Sequence, residues 1–442
     1  MRALVTISVY VIYAAAIAAG LAVFRRRSSG FLAALSPRVW AAIAAGLGLG
    51  MFVIAEPLRD LFQDFLEAYY AGGVAVLSGA TNADQLYSRG VNGFVNVPLA
   101  GVVFVPLAFL PGKLAAAVYL LLGVLATVAS WRLLVRIAGL GSVAAALFGF
   151  CMLVNGPLMN SLKEGNTSHF ALWAVAATML YLRDGKDARA GALLAGVSVF
   201  KLPVLLFFVW AVLRGRWRFA LSGGAVLAGV AAASIVGFGW DVHVAWYHQF
   251  IASTRGQLVV AFNNQSFPAL FGRFAQPSGA LCNWDPILLH PTSRLLSNLA
   301  RAALLVGAAL ALVWPRLKAK PSPLTTSAQV ELEIAMVALL ACLFSPLAWS
   351  HYYCLALPGL ALLLPSEEGL EPRAISFTRR LSTILLSLPV VWPWCSAAGP
   401  LRLPYLLFVS HHLIGATLLF GLLAFRRAVG ARTRVRTPVT LG

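Results

Sequence analysis

The chain has 442 residues, of which 60% are hydrophobic and 11% charged, and its mean hydropathy is +0.82. Burying that much apolar surface in a water-soluble domain would leave almost no polar exterior, so the composition excludes one and points to a polytopic membrane protein. The net charge of +19 does not call for nucleic acid, because the basic residues flank apolar runs, where they report membrane orientation.

The first apolar run, 3–24, is followed by Arg25-Arg26-Arg27. A cleavable signal carries its positive charges ahead of the apolar core, so this run is expected to remain as a span. A second span over 38–54 leads into an outer loop, 55–97, holding Glu56, Asp60, Asp64, Glu67 and Asp84, five of the chain's 15 acids. Solvation of a hairpin explains polar residues here; a carboxylate base at the membrane surface explains their concentration. Residues 97–110 are apolar but short and end at Pro111-Gly112, which suits a re-entrant or interfacial segment. Further spans are expected near 113–131, 140–159, 170–182, 188–200, 202–213, 218–239, 293–314, 328–346, 352–365, 380–395 and 404–424, thirteen in all. The stretch 188–213 is divided at Lys201-Leu202-Pro203 because a lysine at mid-bilayer costs about 2.5 to 3.5 kcal/mol.

With Arg25 to Arg27 and the C-terminus cytoplasmic, 23 of the 34 Lys and Arg fall inside and 10 outside, and Arg301 alone lies within a span. The outer face then collects Asp64, a polar loop from Asn160 to His169 that includes Lys163, Lys201 at a helix tip, a 240–292 loop and His351. The 240–292 loop is long for a structureless connection; a helix is expected around Trp246 to Ser253 and a polar turn at Asn263-Asn264-Gln265-Ser266, followed by Arg273. Singly, each has a plain reading: an interfacial histidine, a snorkelling lysine, amides capping a turn. Together on one face, a base, two lysines, an arginine, a histidine and several amides are the parts that bind a phosphate and a sugar. Cys151, Cys282, Cys342, Cys354 and Cys395 follow no CxxC spacing, so no metal or redox role is expected.

Asp64-Phe65, Tyr69-Tyr70-Ala71-Gly72-Gly73, Leu86-Tyr87, Val97-Pro98 and the run from Phe104 to Pro111 resemble the first outer loop of polyprenol-phosphate-mannose-dependent mannosyltransferases. These form glycosyltransferase family 87 of the GT-C superfamily. Glu164-Gly165-Asn166, Ala190-Gly191 to Lys201-x-Pro203, Asn264-Gln265-Ser266 and Ser345-Pro346 to Trp349-x-His351 follow in the family's order. The resemblance implies an all-α GT-C bundle of about 13 transmembrane helices with helical outer loops. It implies inverting transfer of a hexose, mannose first, from a polyprenyl-phosphate sugar to a glycolipid or glycan, without an obligatory metal or other cofactor, at the outer face of a bacterial plasma membrane. Carried over by position, Asp64 is the base, and Lys201 and His351 face the donor phosphate. Asn264 and Gln265 match a family motif, and Arg273, Lys163 and Tyr69 complete the candidate substrate-binding set. The expected organisation is an additional N-terminal span and basic loop over 1–37, a catalytic core over 38–365, and C-terminal spans with a basic tail over 366–442. Gly165-Asn166-Thr167-Ser168 departs from the family's frequent Gly-Gln-x-Asn, and Tyr352 stands where a second histidine often follows.

The chemistry agrees with one base. A hydroxyl is a poor nucleophile at neutral pH, and a carboxylate that takes its proton contributes about 10² to 10⁴ in rate. A two-step retaining route would instead need two acids about 5 Å apart, for which Asp60 is the second candidate. Other readings are transfer of another lipid-phosphate sugar such as arabinofuranose, a non-catalytic scaffold, and a lipid or polysaccharide transporter or flippase. A transporter calls for ionisable residues along a path through the bilayer, and the sequence suggests few buried charges.

Overall fold

The structure is a computed structural model that describes residues 2–25, 37–54, 61–80, 82–90, 93–252, 257–317, 326–364, 372–390 and 402–429. Glu56 and Asp60 lie outside these residues. Two two-residue strands, Gln257–Leu258 and Ile287–Leu288, are the only extended elements described; the rest of the regular structure is helical. The chain therefore is an all-α membrane protein.

Five described helices are long and apolar enough to cross a bilayer: Gly112–Ala138, Trp217–Phe238, Pro291–Leu312, Thr326–Phe344 and His411–Val429. A sixth candidate is the pair Ser142–Leu153 and Gly156–Glu164, bent by 51°. The bend is local in origin. Asn155 Oδ1 accepts the Leu158 N–H at 2.9 Å, and its Nδ2 donates to Leu386 O at 3.1 Å. Pro157 follows at a first-turn position, where a missing N–H costs nothing. Several other expected spans are shorter than a crossing. Ser168–Arg183 has 16 residues, Asp187–Ser198 has 12, Leu206–Leu213 has 8 after the 4 of the tight turn Leu202–Leu205, and Leu357–Leu363 has 7 after the 7 of Ser350–Ala356, against roughly 20 residues for a hydrocarbon core of about 30 Å.

The chain folds as two compact units, one formed by Met1–Glu56, Ser130–Asn160 and Val259–Gly442, the other by Pro57–Ala129 and Ser161–Leu258. In the second, Asp187–Ser198 packs along Trp217–Phe238. A Cβ on Gly191 would lie 2.1 Å from Phe219 O, so this contact requires glycine. The helix stops where Pro203 can no longer donate to the ladder, and Asn96 Nδ2 donates to the carbonyls of Val199 and Phe200 at 3.4 and 3.2 Å. The expected break at Lys201 is thus present, with Lys201 non-helical between Ser198 and the tight turn Leu202–Leu205.

Three expectations are corrected. The helix placed over Trp246 to Ser253 begins earlier, as Trp240–Trp246, and widens into a π-helical turn, Tyr247–Ala252. Cys282 is disulfide-bonded, whereas Cys151, Cys342 and Cys354 are buried thiols. Buried charge is also more frequent than the sequence suggests: Lys163, Lys201, Arg273, Glu333, Arg379 and Arg427 are all buried. Arg427 Nε and Nη2 both donate to Glu333 Oε1 at 2.9 Å within the first unit. Hydropathy does not separate a lipid-facing helix from one packed inside the protein, and these charges lie on packed faces.

Candidate active site

Asp64 opens a π-helical turn, Asp64–Tyr70. Two residues earlier, Phe62 has φ of 61°, a left-handed conformation that a bulky side chain rarely adopts. Its N–H donates to Lys163 O at 2.8 Å, which holds it there. Wide turns and sparsely populated dihedrals gather at functional sites. Phe65 stacks on Tyr119 with ring centroids 4.5 Å apart, and Tyr69 on Phe104 at 5.0 Å. These buried rings fix the turn and leave Asp64 half-buried beside them. Backbones approach closely behind it, since a Cβ on Gly73 would lie 2.8 Å from the Phe104 carbonyl carbon and oxygen.

Against the turn lies Gly165-Asn166-Thr167-Ser168. Gly165 has φ of 66°, and a Cβ there would sit 2.5 Å from Phe65 Cβ, so only glycine lets this loop reach the Asp64 turn. Asn166 Nδ2 donates to Asp64 Oδ2 at 2.6 Å. Asn166 Oδ1 accepts from Lys201 Nζ at 2.7 Å, from Ser168 N–H at 3.1 Å and from Ser168 Oγ–H at 2.9 Å. Lys201 is 5% exposed. Tyr69 Oη and Thr167 Oγ1 are 3.3 Å apart in a further hydrogen bond. Lys163 sits in the last turn of Gly156–Glu164 with its side chain buried. In this unit, then, Asp64, Tyr69 and Lys201 come together, and Lys163 supports the turn through its main chain.

The first unit holds the other candidates, and most of the hydrogen bonds of Arg273, Asn264 and Gln265 go to backbone. Arg273, 2% exposed, donates through Nε to Val260 O at 2.9 Å, through Nη1 to Ser410 Oγ at 2.8 Å and through Nη2 to the carbonyls of Ala261, Phe262 and Asn264. Burial lowers its pKa to about 9, so it remains a cation at neutral pH. Asn264 Nδ2 donates to Val259 O and Pro346 O, and its Oδ1 accepts the Ala348 N–H at 3.1 Å. Gln265 Nε2 donates to Phe262 O and Val409 O, each at 2.7 Å. Ser266 caps the helix Phe267–Ala275, and its hydroxyl also donates to Pro346 O at 2.8 Å. These contacts tie 259–266 to 345–350, where the Ser350 N–H donates to Asn263 O and Asn160 Nδ2 donates to Ser350 Oγ. His351 follows, buried and tilted against Tyr352 at 5.1 Å. Arg273, Asn264 and Gln265 are accordingly the frame of the segment that carries His351, and Arg273 does not present its guanidinium to a ligand.

Among the described residues no group of three or more His, Cys, Asp and Glu is arranged to hold a metal ion. The model of glycosyltransferase family 87 matches residues 94–346, more than half of the chain. The chain belongs to glycosyltransferase family 87. This family 87 protein is therefore a membrane glycosyltransferase. The matched segment contains Asn166, Lys201, Asn264, Gln265 and Arg273, while Asp64 and Tyr69 precede it and His351 follows it. A comparison with curated proteins gives no match.

Asn166 stands in the sequence within the outer polar loop and the Glu164-Gly165-Asn166 motif, but reading the sequence gives it no role in the site. Its signal was a glycine, an amide and two hydroxyls just ahead of an apolar helix, which by itself reads as a cap.

Proposed function

We propose that this glycosyltransferase moves a hexose, mannose by its resemblance, from a polyprenyl-phosphate sugar to a hydroxyl of a glycolipid or glycan, inverting the anomeric centre. The observation that carries the reading is a half-buried carboxylate and a buried ammonium held on the two ends of one side-chain amide: Asp64, Asn166 and Lys201. Asp64 accepts the acceptor's proton as the new C–O bond forms. The leaving group is a lipid phosphate, and the Lys201 ammonium stabilises its growing charge, a role that needs no metal ion. His351 enters through its motif alone. The apolar helices supply lipid-like surroundings for an isoprenoid chain.

The site is proposed to face outward in a GT-C membrane bundle in a bacterial plasma membrane. The charge partition supports this, as does the disulfide at Cys282, because such bonds persist in oxidising compartments. The scarcity of buried charge no longer separates an enzyme from a transporter; family membership does.

Asp64→Asn tests the reading. Transfer of labelled mannose from polyprenyl-phosphate mannose is expected to fall by about 10² or more while donor binding is kept. Turnover near the wild-type rate would remove Asp64 from the role of base. A labelled sugar trapped covalently on the protein would replace single displacement by a two-step route.

A further inference from the structure

We infer that Asn166 is the positioning residue of this site, setting the protonation and aim of the Asp64 carboxylate and the place of the Lys201 ammonium through opposite ends of one amide. The inference rests on the proposed role of Asp64 as base.

The orientation of the amide is decided by its partners. Three donors converge on one atom: Lys201 Nζ, the Ser168 N–H and the Ser168 hydroxyl, at 2.7, 3.1 and 2.9 Å. That atom must be the carbonyl oxygen, since an NH₂ group has nothing to accept with. The NH₂ group therefore faces Asp64 Oδ2, at 2.6 Å. A flipped amide would set oxygen against the carboxylate and NH₂ against an ammonium, wrong at both ends. An N–H donated to a carboxylate favours its ionised form, which is the form a general base must have before the reaction. It also fixes the carboxylate in angle, and small misplacements of a reacting group are costly.

The backbone makes this arrangement stiff. Gly165, left-handed and in contact with Phe65, fixes the distance between the Asn166 loop and the Asp64 turn. Asn166 N–H donates to Ser161 O at 2.9 Å, so the residue is held by main chain as well as side chain. Lys201 reaches the amide from the break between Ser198 and Leu202. One neutral side chain thus links the group proposed to take the proton and the group proposed to meet the phosphate, its NH₂ donating to one and its oxygen accepting from the other.

The test is Asn166→Asp in the full-length protein. It keeps the shape and the acceptor for Lys201 and Ser168 but places a second carboxylate about 2.6 Å from the first. Two carboxylates so close must share a proton, so Asp64 ionises only at higher pH. With polyprenyl-phosphate mannose as donor, the acid limb of kcat/KM is expected to move up by about one pH unit or more. A residue 166 that does not face the carboxylate setting the limb would leave the limb in place, whatever the change does to the amount of folded protein. An unshifted limb in folded Asn166→Asp, or a wild-type profile, overturns the inference. If that variant does not accumulate, Asn166→Ala decides: kcat is expected to fall about 10- to 100-fold, and a kcat within about twofold of wild type overturns it. An inactive Asp64→Asn beside an unshifted Asn166→Asp sinks only the role of Asn166, whereas an active Asp64→Asn sinks the reading beneath it.

Discussion

Two clusters of buried polar residues look alike in the sequence and differ in what their polar atoms meet. In the Asp64 cluster, side chain meets side chain: a carboxylate, an amide and an ammonium in series. In the Arg273 cluster, side chains meet main chain: one guanidinium spans four backbone carbonyls and a hydroxyl, and the Asn264, Gln265 and Ser266 side chains bond carbonyls and an N–H. The first arrangement is the one proposed to react; the second holds a loop in shape. Burial alone does not distinguish them, and neither does residue type, since each contains a cation and an amide.

The comparison is sharpest at Lys201. Lys201→Met keeps the apolar stem and removes the charge, and is expected to lower transfer by about 10² with the midpoint of thermal unfolding in detergent little changed. A full-rate Lys201→Met would make the Asp64 cluster a structural one too. Arg273→Met should show the opposite pattern. Leaving several buried carbonyls without a donor is expected to destabilise the fold by about 2 to 5 kcal/mol, read as a lower unfolding midpoint, with the activity of the remaining folded protein nearly kept. An undiminished midpoint would show that Arg273 is not the frame.

Gly165→Ala is expected to act between these two. Its Cβ would press on Phe65 and its φ is unfavourable for alanine, a cost of about 1 to 3 kcal/mol together with a loss of turnover from the displaced Asn166. Unchanged turnover would mean that the loop does not set the Asp64 geometry. Asp84→Asn should do least. Asp84 is exposed in the short helix Ala83–Leu86, capped by Asn82, so a change within about 0.5 kcal/mol and wild-type transfer are expected. A dead Asp84→Asn would move the base to a different acid of the same loop.

Much of this was legible in the sequence. Composition gave the membrane class, and Pro203 with Lys201 marked a helix break that the structure contains. The Asp64 loop and Gly72-Gly73 were visible because acids and paired glycines are conspicuous in an apolar chain. The span count was not legible in the same way: apolar runs such as 170–182 and 352–365 end in helices too short to cross, and hydropathy cannot tell a lipid-facing helix from one packed inside protein. The role of Arg273 was hidden for a related reason. Its partners are backbone carbonyls, which every residue has, so no pattern of side chains announces them. Asn166 was hidden because a cap and a positioning amide use the same residue in the same place.

The most direct test of the contrast is one assay on two variants, Asp64→Asn and Arg273→Met. Transfer of labelled mannose from polyprenyl-phosphate mannose is measured per mole of folded protein, with donor binding followed on the same samples. The expected result is a loss of about 10² or more in Asp64→Asn at unchanged donor binding, beside near-normal transfer by whatever Arg273→Met remains folded. Full transfer by Asp64→Asn, or loss of transfer in folded Arg273→Met, would contradict the division between a reacting cluster and a framing one.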